Sequence, residues 1–332
     1  LPEVRRTLAQ TSPGLAACYA EPWPNEVEAA PLQRLWASSY LCQAHAQISA
    51  NLLGLRPQAL IGYSSGESNS LFASGIWTDQ DAMIAACRES GVFTREIGGE
   101  FQVLARAWGV DAPAWETWTV LAPIPEVLAA LEGETRAHLS VIHHDNEAIV
   151  VGDPAACARV RDRLGAARCL RLHYDLVVHV PELREIADAW LDIHRREVSP
   201  RSDLRVYSGA HAGPYTPSRE ACAQAILGQA DRRLDFRAVI ERAYADGVRV
   251  FVEHGPQAGC SRWIREILGE RDAVVVALDR KGVGLDPILE ATAALVAASV
   301  ECTPELLLAA LRGRPSARPS EGPTLPFAAH PP

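Results

Sequence analysis

Ser64 is the side chain in this sequence whose surroundings best suit nucleophilic chemistry. It stands in the segment Gly62-Tyr63-Ser64-Ser65-Gly66, directly after the short apolar run ALI. A serine between two glycines at a strand-to-helix turn matches the nucleophile elbow, in which the glycines permit a close approach of the backbone. The next backbone N–H, that of Ser65, would open the helix, where it can bind a developing oxyanion. The pattern also fits a structural turn, so the assignment requires a base within reach.

One of the ten histidines stands where such a base is expected. His179 follows the apolar run LVV and precedes a Val-Pro pair and a predicted helix. It therefore lies at the mouth of a strand, where the catalytic groups of α/β proteins collect. His143 and His144 fall in an alternating strand, and His45 and His194 in helices, so a structural or exposed role is expected for these four. His179 is the candidate base for Ser64.

Composition excludes several other classes of function. With 332 residues, 48% hydrophobic content and a formal net charge of −9, the chain can bury one large core and a smaller satellite, and it is too acidic for a nucleic-acid binder. No long apolar run or signal peptide is found, so a cytoplasmic location is expected. The chain does not begin with Met, which suggests a piece of a longer polypeptide. Its eight cysteines lack metal-binding spacing, and reduced, buried thiols are expected.

The elements around Ser64 predict an α/β fold. Residues 31–53 have apolar positions at helical spacing and end at Gly54, ALIGY is a short buried strand, and SSGESNSLFASG opens a second helix. This order of helix, strand, turn and helix is a doubly wound α/β unit. We expect an α/β-hydrolase-like large subdomain with a parallel sheet, formed by residues 1–116 and 178–312.

Residues 117–177 change character and predict a smaller unit. Strand-like and helix-like segments alternate over about sixty residues, which favours a small ferredoxin-like α+β subdomain of the split βαβ type. Two strands and two amphipathic helices fit this stretch. The Pro-rich residues 313–332 predict an extended C-terminal linker, although its segment TLPFAAHPP could also pack back along the domain.

Three motifs together resemble a known family. The segments GYSSGE, YDLVVHVPEL and VFVEHGPQAG are similar to those of the acyltransferases that load malonyl or related acyl groups onto acyl carrier proteins in fatty acid and polyketide synthesis. The resemblance implies that Ser64 is acylated, that His179 is its base, and that the main-chain carbonyl of Gln229 orients that base. It also implies that the turn at Gly255 and Pro256 closes the site.

The same resemblance implies the substrate and the partners. The acyl donor would be malonyl-CoA, and the acceptor would be the phosphopantetheine thiol of an acyl carrier protein, next to a ketosynthase domain in a larger polypeptide. No metal or cofactor of the chain itself is implied. The pairing of GYSSGES with LVVHVPEL is most similar to the acyltransferase domains of iterative type I polyketide synthases of the enediyne class, with a role in antibiotic biosynthesis.

The sequence departs from the family pattern around the substrate, where the expected contacts are Gly62, Tyr63, Val178 and Arg88. Tyr63 stands where family members usually have His, and Val178 stands in the pair before the base that accompanies extender choice. The arginine that pairs with the malonate carboxylate belongs at position 89, which is Glu, so Arg88 would face the site only if its helix shifts register. Arg95 and Arg106 are alternatives. The family's early loop with a second oxyanion donor is not found.

Two other functions stay open at this stage. An α/β-hydrolase would need an acid between Ser64 and His179 in the sequence, where Asp145, Asp153 and Asp175 lie. A catalytically weak scaffold that docks a carrier protein would need a basic patch, for which the predicted small subdomain offers Arg159, Arg161, Arg163 and Arg168.

Overall fold

The structure is a computed structural model that describes residues 1–20, 31–280 and 284–312, without the side chains of residues 19 and 20. The predicted linker at 313–332 lies outside the described residues. No described helix is both long and apolar enough to cross a lipid bilayer. None of the eight cysteines, all of which belong to the described residues, forms a disulfide, as expected. The expected burial holds for four of them, Cys87, Cys157, Cys169 and Cys222, whereas the other four are only partly buried.

Helices are the commonest elements of the described residues. They are α1 (Pro2–Thr11), α2 (Pro13–Ala20), α3 (Pro31–Gln47), α4 (Gly66–Ala73), α5 (Gln80–Ser90), α6 (Gln102–Trp108), α7 (Ile124–Ala130), α8 (Pro154–Leu164), α9 (Ala187–His194), α10 (Arg219–Ala230), α11 (Phe236–Ala245), α12 (Gly259–Leu268), α13 (Asp286–Ala297) and α14 (Pro304–Leu311). Shorter 3₁₀ or π-helical turns cover Ile48–Leu52, Val92–Glu96, Ala166–Arg168, Pro181–Ile186 and Pro256–Ala258.

The strands are β1 (Ala59–Ile61), β2 (Glu116–Val120), β3 (Ala137–His144), β4 (Glu147–Gly152), β5 (Cys169–Leu172), β6 (Arg205–Ser208), β7 (Gly213–Tyr215), β8 (Leu234–Asp235), β9 (Val250–Glu253) and β10 (Val274–Ala277). In the large part of the molecule β1 runs parallel to β6, with Leu60 opposite Val206, and β9 runs parallel to β10. β7 adds an antiparallel edge to β6. Helices pack against these parallel pairs, which confirms the predicted α/β class.

The small subdomain has a sheet of its own. Its strands follow the order β5-β2-β4-β3 with antiparallel neighbours, and α7 and α8 connect them, which is the ferredoxin-like arrangement. Two strands were expected here and the structure has four. β3 and β4 are separated by only Asp145 and Asn146, so they read as one alternating stretch, and β5 is only four residues long. This sheet packs over its own hydrophobic core, which includes Val127, Val150 and Val160.

One parallel pairing ties the small sheet to the rest of the molecule. β3 pairs with β8, where Val141 lies opposite Leu234 and Ile142 opposite Asp235. β8 directly follows α10 and leads into α11, both of which belong to the large part. β3 is thereby held close to the helices that surround β1 and Ser64.

Candidate active site

Ser64 occupies a sharp turn between β1 and α4. Its backbone has φ 54°, in the left-handed region that residues other than glycine rarely adopt. The N–H of Gly66 donates to the carbonyl of Tyr63 at 2.8 Å, and that of Glu67 donates to the carbonyl of Ser64 at 3.1 Å. Backbone strain held in this way is a mark of functional turns, and here it sets the direction in which the Ser64 hydroxyl points.

The two glycines of the motif are not equivalent. A Cβ added to Gly62 would lie 2.1 Å from both the backbone nitrogen and the Cα of Glu67, because the start of α4 passes directly over it. A Cβ added to Gly66 would have no atom within 4 Å. Only Gly62 is therefore required by space, and the expectation that both glycines permit a close approach is wrong for Gly66.

The side chain of His179 contacts that of Ser64. Its Nε2 lies 2.9 Å from the Ser64 hydroxyl oxygen, and its Nδ1 lies 2.6 Å from the main-chain carbonyl oxygen of Gln229. A carbonyl can only accept, so Nδ1 carries the ring proton and Nε2 is left to accept the hydroxyl proton of Ser64. These three groups form a nucleophile, a base and an orienting acceptor within hydrogen-bond reach.

Burial keeps the His179 ring neutral. Its side chain is 6% exposed, and desolvation lowers its pKa to about 4, although the carbonyl of Gln229 acts in the opposite direction. His179 also has φ 60°, so its backbone is held in the left-handed region like that of Ser64. A neutral imidazole held in one tautomer is able to take a proton at neutral pH.

Gln229 contacts both members of the pair. Its carbonyl, near the end of α10, accepts the ring N–H of His179, while its side-chain amide donates to the main-chain carbonyl of Ser64 at 3.2 Å. The residue is 2% exposed. One glutamine thus fixes the ring of the base and the backbone of the nucleophile relative to each other.

Ser65 occupies the N-cap position of α4, with its N–H at the positive end of that helix. It lines the same cleft as Ser64 and His179, so its N–H can bind an oxyanion that forms on a carbonyl attacked by Ser64. Val178 lines the cleft as well.

The cleft at Ser64 has a volume of about 800 Å³ including its open mouth. Its wall is mainly apolar and aromatic, with contributions from Leu35, Trp36, Phe72, Met83, Phe93, Leu176, Trp190 and Ile226. The polar members besides the reacting groups are neutral at pH 7, and they include Ser39, Asn69 and Gln80. No lysine or arginine of the described ranges lines the cleft.

Arg88 does not lie at the cleft. α5 is a regular helix that presents Gln80 and Met83 to the cleft, so Arg88 falls on its exposed side, where the guanidinium donates to the sulfur of Cys18 at 3.0 Å. Glu89 is exposed too, and no shift in helix register moves Arg88 inward. Arg95 is exposed, and Arg106 pairs with Glu96 at 2.6 Å on the surface.

Three further expected contacts also lie elsewhere. Gly62 does not line the cleft, because it packs against the backbone at the start of α4. Tyr63 turns away from the cleft, and its hydroxyl lies 2.9 Å from Nε2 of His143. The turn at Gly255 and Pro256 follows β9 and does not line the cleft. Beside that turn the carboxylate of Glu253 accepts two backbone N–H groups at the start of α12, which is a helix-capping role.

The acids that a hydrolase would need have other partners. Asp153 caps α8 by accepting the N–H groups of Ala155 and Ala156, and Asp175 pairs with Arg171 at 2.7 Å. Asp145 pairs with Arg237. Since the Nδ1 of His179 bonds to a main-chain carbonyl, the Ser-acid-His order of an α/β-hydrolase is not the arrangement present.

The arginines of the candidate carrier-docking patch are paired within the small subdomain. Arg159 and Arg163 both contact Glu134, at 2.6 and 2.9 Å, and Arg168 contacts Glu126 at 2.6 Å. Arg161 lies 3.7 Å from Asp162 and over the ring of Trp118. Their charge is largely balanced in place, so this patch has the character of an ordinary solvated helix face.

No family model matches the chain. Among curated proteins it is 27% identical over 256 residues to a subunit of the polyunsaturated fatty acid synthase of Thraustochytrium sp., which covers 70% of this chain and 12% of that protein. It is 24% identical over 255 residues to 6-methylsalicylic acid synthase of Penicillium patulum, which covers 75% of this chain and 14% of that protein. The chain thus spans about an eighth of the length of the curated relatives it matches.

Several solved structures have a similar fold over most of this chain. The acyltransferase domain from the second module of the salinomycin polyketide synthase superposes with a TM-score of 0.71 at 19% identity, over 91% of this chain and 70% of the other. The malonyl-CoA:acyl carrier protein transacylase of Xanthomonas oryzae gives 0.71 at 20% identity, over 88% and 90%. A malonyl-transacylase in complex with a type II polyketide acyl carrier protein gives 0.71 at 17% identity, over 88% and 92%. The chain therefore has the fold of the polyketide synthase acyltransferase domains and malonyl-CoA:acyl carrier protein transacylases.

Proposed function

We propose that this chain is a serine acyltransferase that takes an acyl group, chiefly malonyl, from coenzyme A. It passes this group to the phosphopantetheine thiol of an acyl carrier protein. The observation that carries the proposal is the line from Ser64 Oγ through the His179 ring to the Gln229 carbonyl, with separations of 2.9 and 2.6 Å. It supplies a nucleophile, a neutral base and an orienting group at the floor of one cleft.

In the first half-reaction the Ser64 oxygen attacks the thioester carbonyl while His179 Nε2 takes the hydroxyl proton. The carbonyl oxygen becomes an oxyanion, which the N–H of Ser65 stabilises at the positive end of α4. The carbon–sulfur bond then breaks, and coenzyme A leaves as a thiol with the proton from His179. Ser64 is left as an acyl ester and His179 is neutral again.

In the second half-reaction the thiol of the carrier's phosphopantetheine attacks that ester. His179 takes the thiol proton and returns it to Ser64 Oγ as the ester bond breaks, so no proton is gained or lost over the cycle. Water is the competing acceptor, and the apolar wall of Trp36, Phe93 and Trp190 disfavours it. An acyl-enzyme of this kind can wait for a carrier protein.

The choice of malonyl and of a carrier protein draws on the similar proteins. Several of the structural neighbours are malonyl-transacylases, and one of these is in complex with an acyl carrier protein. The curated relatives include a polyunsaturated fatty acid synthase component and 6-methylsalicylic acid synthases. We further propose that the chain acts in a polyketide assembly of the enediyne class, beside a ketosynthase domain, on the resemblance of GYSSGES and LVVHVPEL to that class.

The proposal is tested by following the acyl group to its acceptor. The chain is incubated with malonyl-CoA and either holo acyl carrier protein or free pantetheine, and the malonyl thioester is measured by mass spectrometry. The proposal predicts malonyl-carrier formation that is lost in Ser64→Ala and reduced by orders of magnitude in His179→Ala. Release of free malonate at the rate at which malonyl-CoA is consumed would instead identify a hydrolase, and no reaction of the folded chain would favour a docking scaffold.

A further inference from the structure

Tyr63 is the first member of a string of hydrogen-bonded side chains that the reaction does not use. The string consists of Tyr63, His143, Glu147, Arg262 and Trp263. Tyr63 lies between Gly62 and Ser64 in the chain, but its side chain points to the opposite side from the cleft. Its ring packs against Phe236 and Trp263, with centroids 5.5 and 5.1 Å away, and its hydroxyl lies 2.9 Å from His143 Nε2.

The partner of Tyr63 is itself fixed from the other side. Nδ1 of His143 lies 3.0 Å from the Oε1 of Glu147, and both residues are almost fully buried, at 3% and 4% exposure. A carboxylate accepts, so Nδ1 donates to Glu147 and Nε2 accepts the hydroxyl proton of Tyr63. The ring of His143 also stacks on Trp263, with centroids 3.6 Å apart.

Glu147 is the anchor of this string. Arg262 donates to both of its carboxylate oxygens, at 2.7 and 2.8 Å, and the indole N–H of Trp263 donates at 2.8 Å. Burial raises the pKa of Glu147, but the hydrogen bonds from His143, Arg262 and Trp263 outweigh it and hold the pKa well below its usual range. The carboxylate is therefore ionised and fully partnered.

The string crosses the boundary between the two parts of the molecule. His143 and Glu147 lie on the β3–β4 hairpin of the small subdomain, Arg262 and Trp263 lie on α12 of the large part, and Tyr63 lies on the nucleophile turn. A phenylalanine at 63 could keep the ring contacts. Burying a network of polar side chains is costly unless each of its groups has a hydrogen-bond partner. A fully partnered network favours one arrangement of its residues over others.

We propose that Tyr63, His143 and Glu147 are positioning residues that hold the nucleophile turn, and with it Ser64, against His179. Ser64 follows Tyr63 directly and has a strained backbone at φ 54°, so a slack Tyr63 lets the turn relax and moves Ser64 Oγ away from Nε2 of His179. The order carboxylate, imidazole, hydroxyl resembles an activated nucleophile. Tyr63 is not one itself, because its ring packs against Phe236 and Trp263 and its hydroxyl bonds to His143, away from the cleft.

The test compares two tyrosines that lose the same group. Tyr63→Phe removes the hydroxyl at the head of the string. Tyr207→Phe is the matched control, because Tyr207 is fully buried in β6 and donates to the carboxylate of Asp246 at 3.0 Å, outside the string. Two rates are measured for each, namely acylation of Ser64 by malonyl-CoA and sulfonylation of Ser64 by phenylmethylsulfonyl fluoride, together with the unfolding temperature.

The expected result is a rate constant about tenfold lower or more in Tyr63→Phe for both reagents, since small displacements of a nucleophile are costly in rate. The half-saturating malonyl-CoA concentration stays within twofold, and both variants unfold at similar temperatures. His143→Gln should slow both reactions as well, and the double variant should be no slower than the slower single variant.

Wild-type rates in Tyr63→Phe, an equal loss in Tyr207→Phe, or multiplying effects in the double variant would overturn the inference. The inference rests on the proposed function only for the malonyl-CoA arm. If wild-type chain is not acylated by malonyl-CoA, the proposed function fails, while the sulfonylation rates still decide whether the string positions Ser64.

Discussion

The unequal demands on Gly62 and Gly66 give a sharp test of the nucleophile turn. Alanine is placed at each position in turn, so both variants gain the same methyl group within five residues of chain. At Gly62 the new Cβ meets backbone atoms of Glu67 at 2.1 Å, and at Gly66 it meets nothing within 4 Å. Sequence alone treats the two glycines as one motif, whereas the structure separates them.

The size of the effect follows from these distances. To reach an ordinary contact of 3.4 Å from 2.1 Å, the backbone of Gly62 and the start of α4 must separate by about 1.3 Å. Overpacking of this kind costs about 1–3 kcal/mol of stability. Displacement of a reacting group by about 1 Å costs roughly 100-fold in rate. Gly66→Ala is expected to be neutral or to stabilise by about 0.4–1 kcal/mol, because it restricts the unfolded chain.

The assay is the rate of Ser64 acylation by malonyl-CoA, measured by rapid quench and mass spectrometry, with the unfolding temperature of each variant recorded beside it. We expect Gly62→Ala to acylate about 100-fold more slowly or not at all, and Gly66→Ala to acylate within about threefold of wild type. Equal losses in the two variants, or a fully active Gly62→Ala, would refute this explanation of the turn.

Three further predictions follow from the site. Burial lowers the pKa of His179 to about 4, and the neutral ring is the base. The acylation rate should therefore be constant near neutral pH and fall only on acidification toward about pH 4. An apparent pKa of 6.5 or above in the pH profile of the rate would contradict this. Arg88→Ala should leave the acylation rate within about twofold and the preference between malonyl- and acetyl-CoA unchanged, since its guanidinium lies on the exposed side of α5; loss of malonyl preference would show that Arg88 reaches the substrate. Burial raises the pKa of Glu67 to about 7, so its favourable contribution to stability is present at low pH and is lost as the pH rises from the pKa of the unfolded chain through about 7. The unfolding temperature of Glu67→Gln relative to wild type should therefore rise between pH 5 and pH 8. A difference that stays constant over this range would contradict a buried, protonated Glu67.

Most of the elements near Ser64 could be predicted from the sequence because each has a local signature. The helical run over residues 31–53, strand β1 and helix α4 follow from apolar spacing and from neighbouring glycines. The run is α-helical only as far as Gln47, however, and it continues as a π-helical turn over Ile48–Leu52. The four strands of the small subdomain were harder, because a two-residue turn at Asp145 and Asn146 hides the boundary between β3 and β4. Their order in the sheet depends on packing over a common core, which no short segment encodes.

The site residues differ in the same way. Ser64 is marked by a strand that ends in a turn, and resemblance pointed to the carbonyl of Gln229. His179 was expected at the end of a strand too, but that expectation is wrong, because β5 ends at Leu172 and the run LVV before His179 forms no strand. Arg88 could not be placed, because one position on a helix changes its direction by about 100° and the facing of α5 depends on its neighbours. The contact of Tyr63 with His143 joins residues 80 apart in the chain, and it depends on how the small sheet packs against β8. An alternating strand pattern gave no signal for that partner.

A covalent acyl group on Ser64 is central to the proposed function, and intact-protein mass spectrometry tests it directly. The chain is incubated briefly with malonyl-CoA, and in parallel with acetyl-CoA and methylmalonyl-CoA, beside the Ser64→Ala variant under the same conditions. We expect a mass gain of one malonyl group that maps to the Ser64 peptide and is lost in Ser64→Ala. A folded wild-type chain that gains no acyl group from any of the three donors, or a gain that persists in Ser64→Ala, would contradict the proposed function.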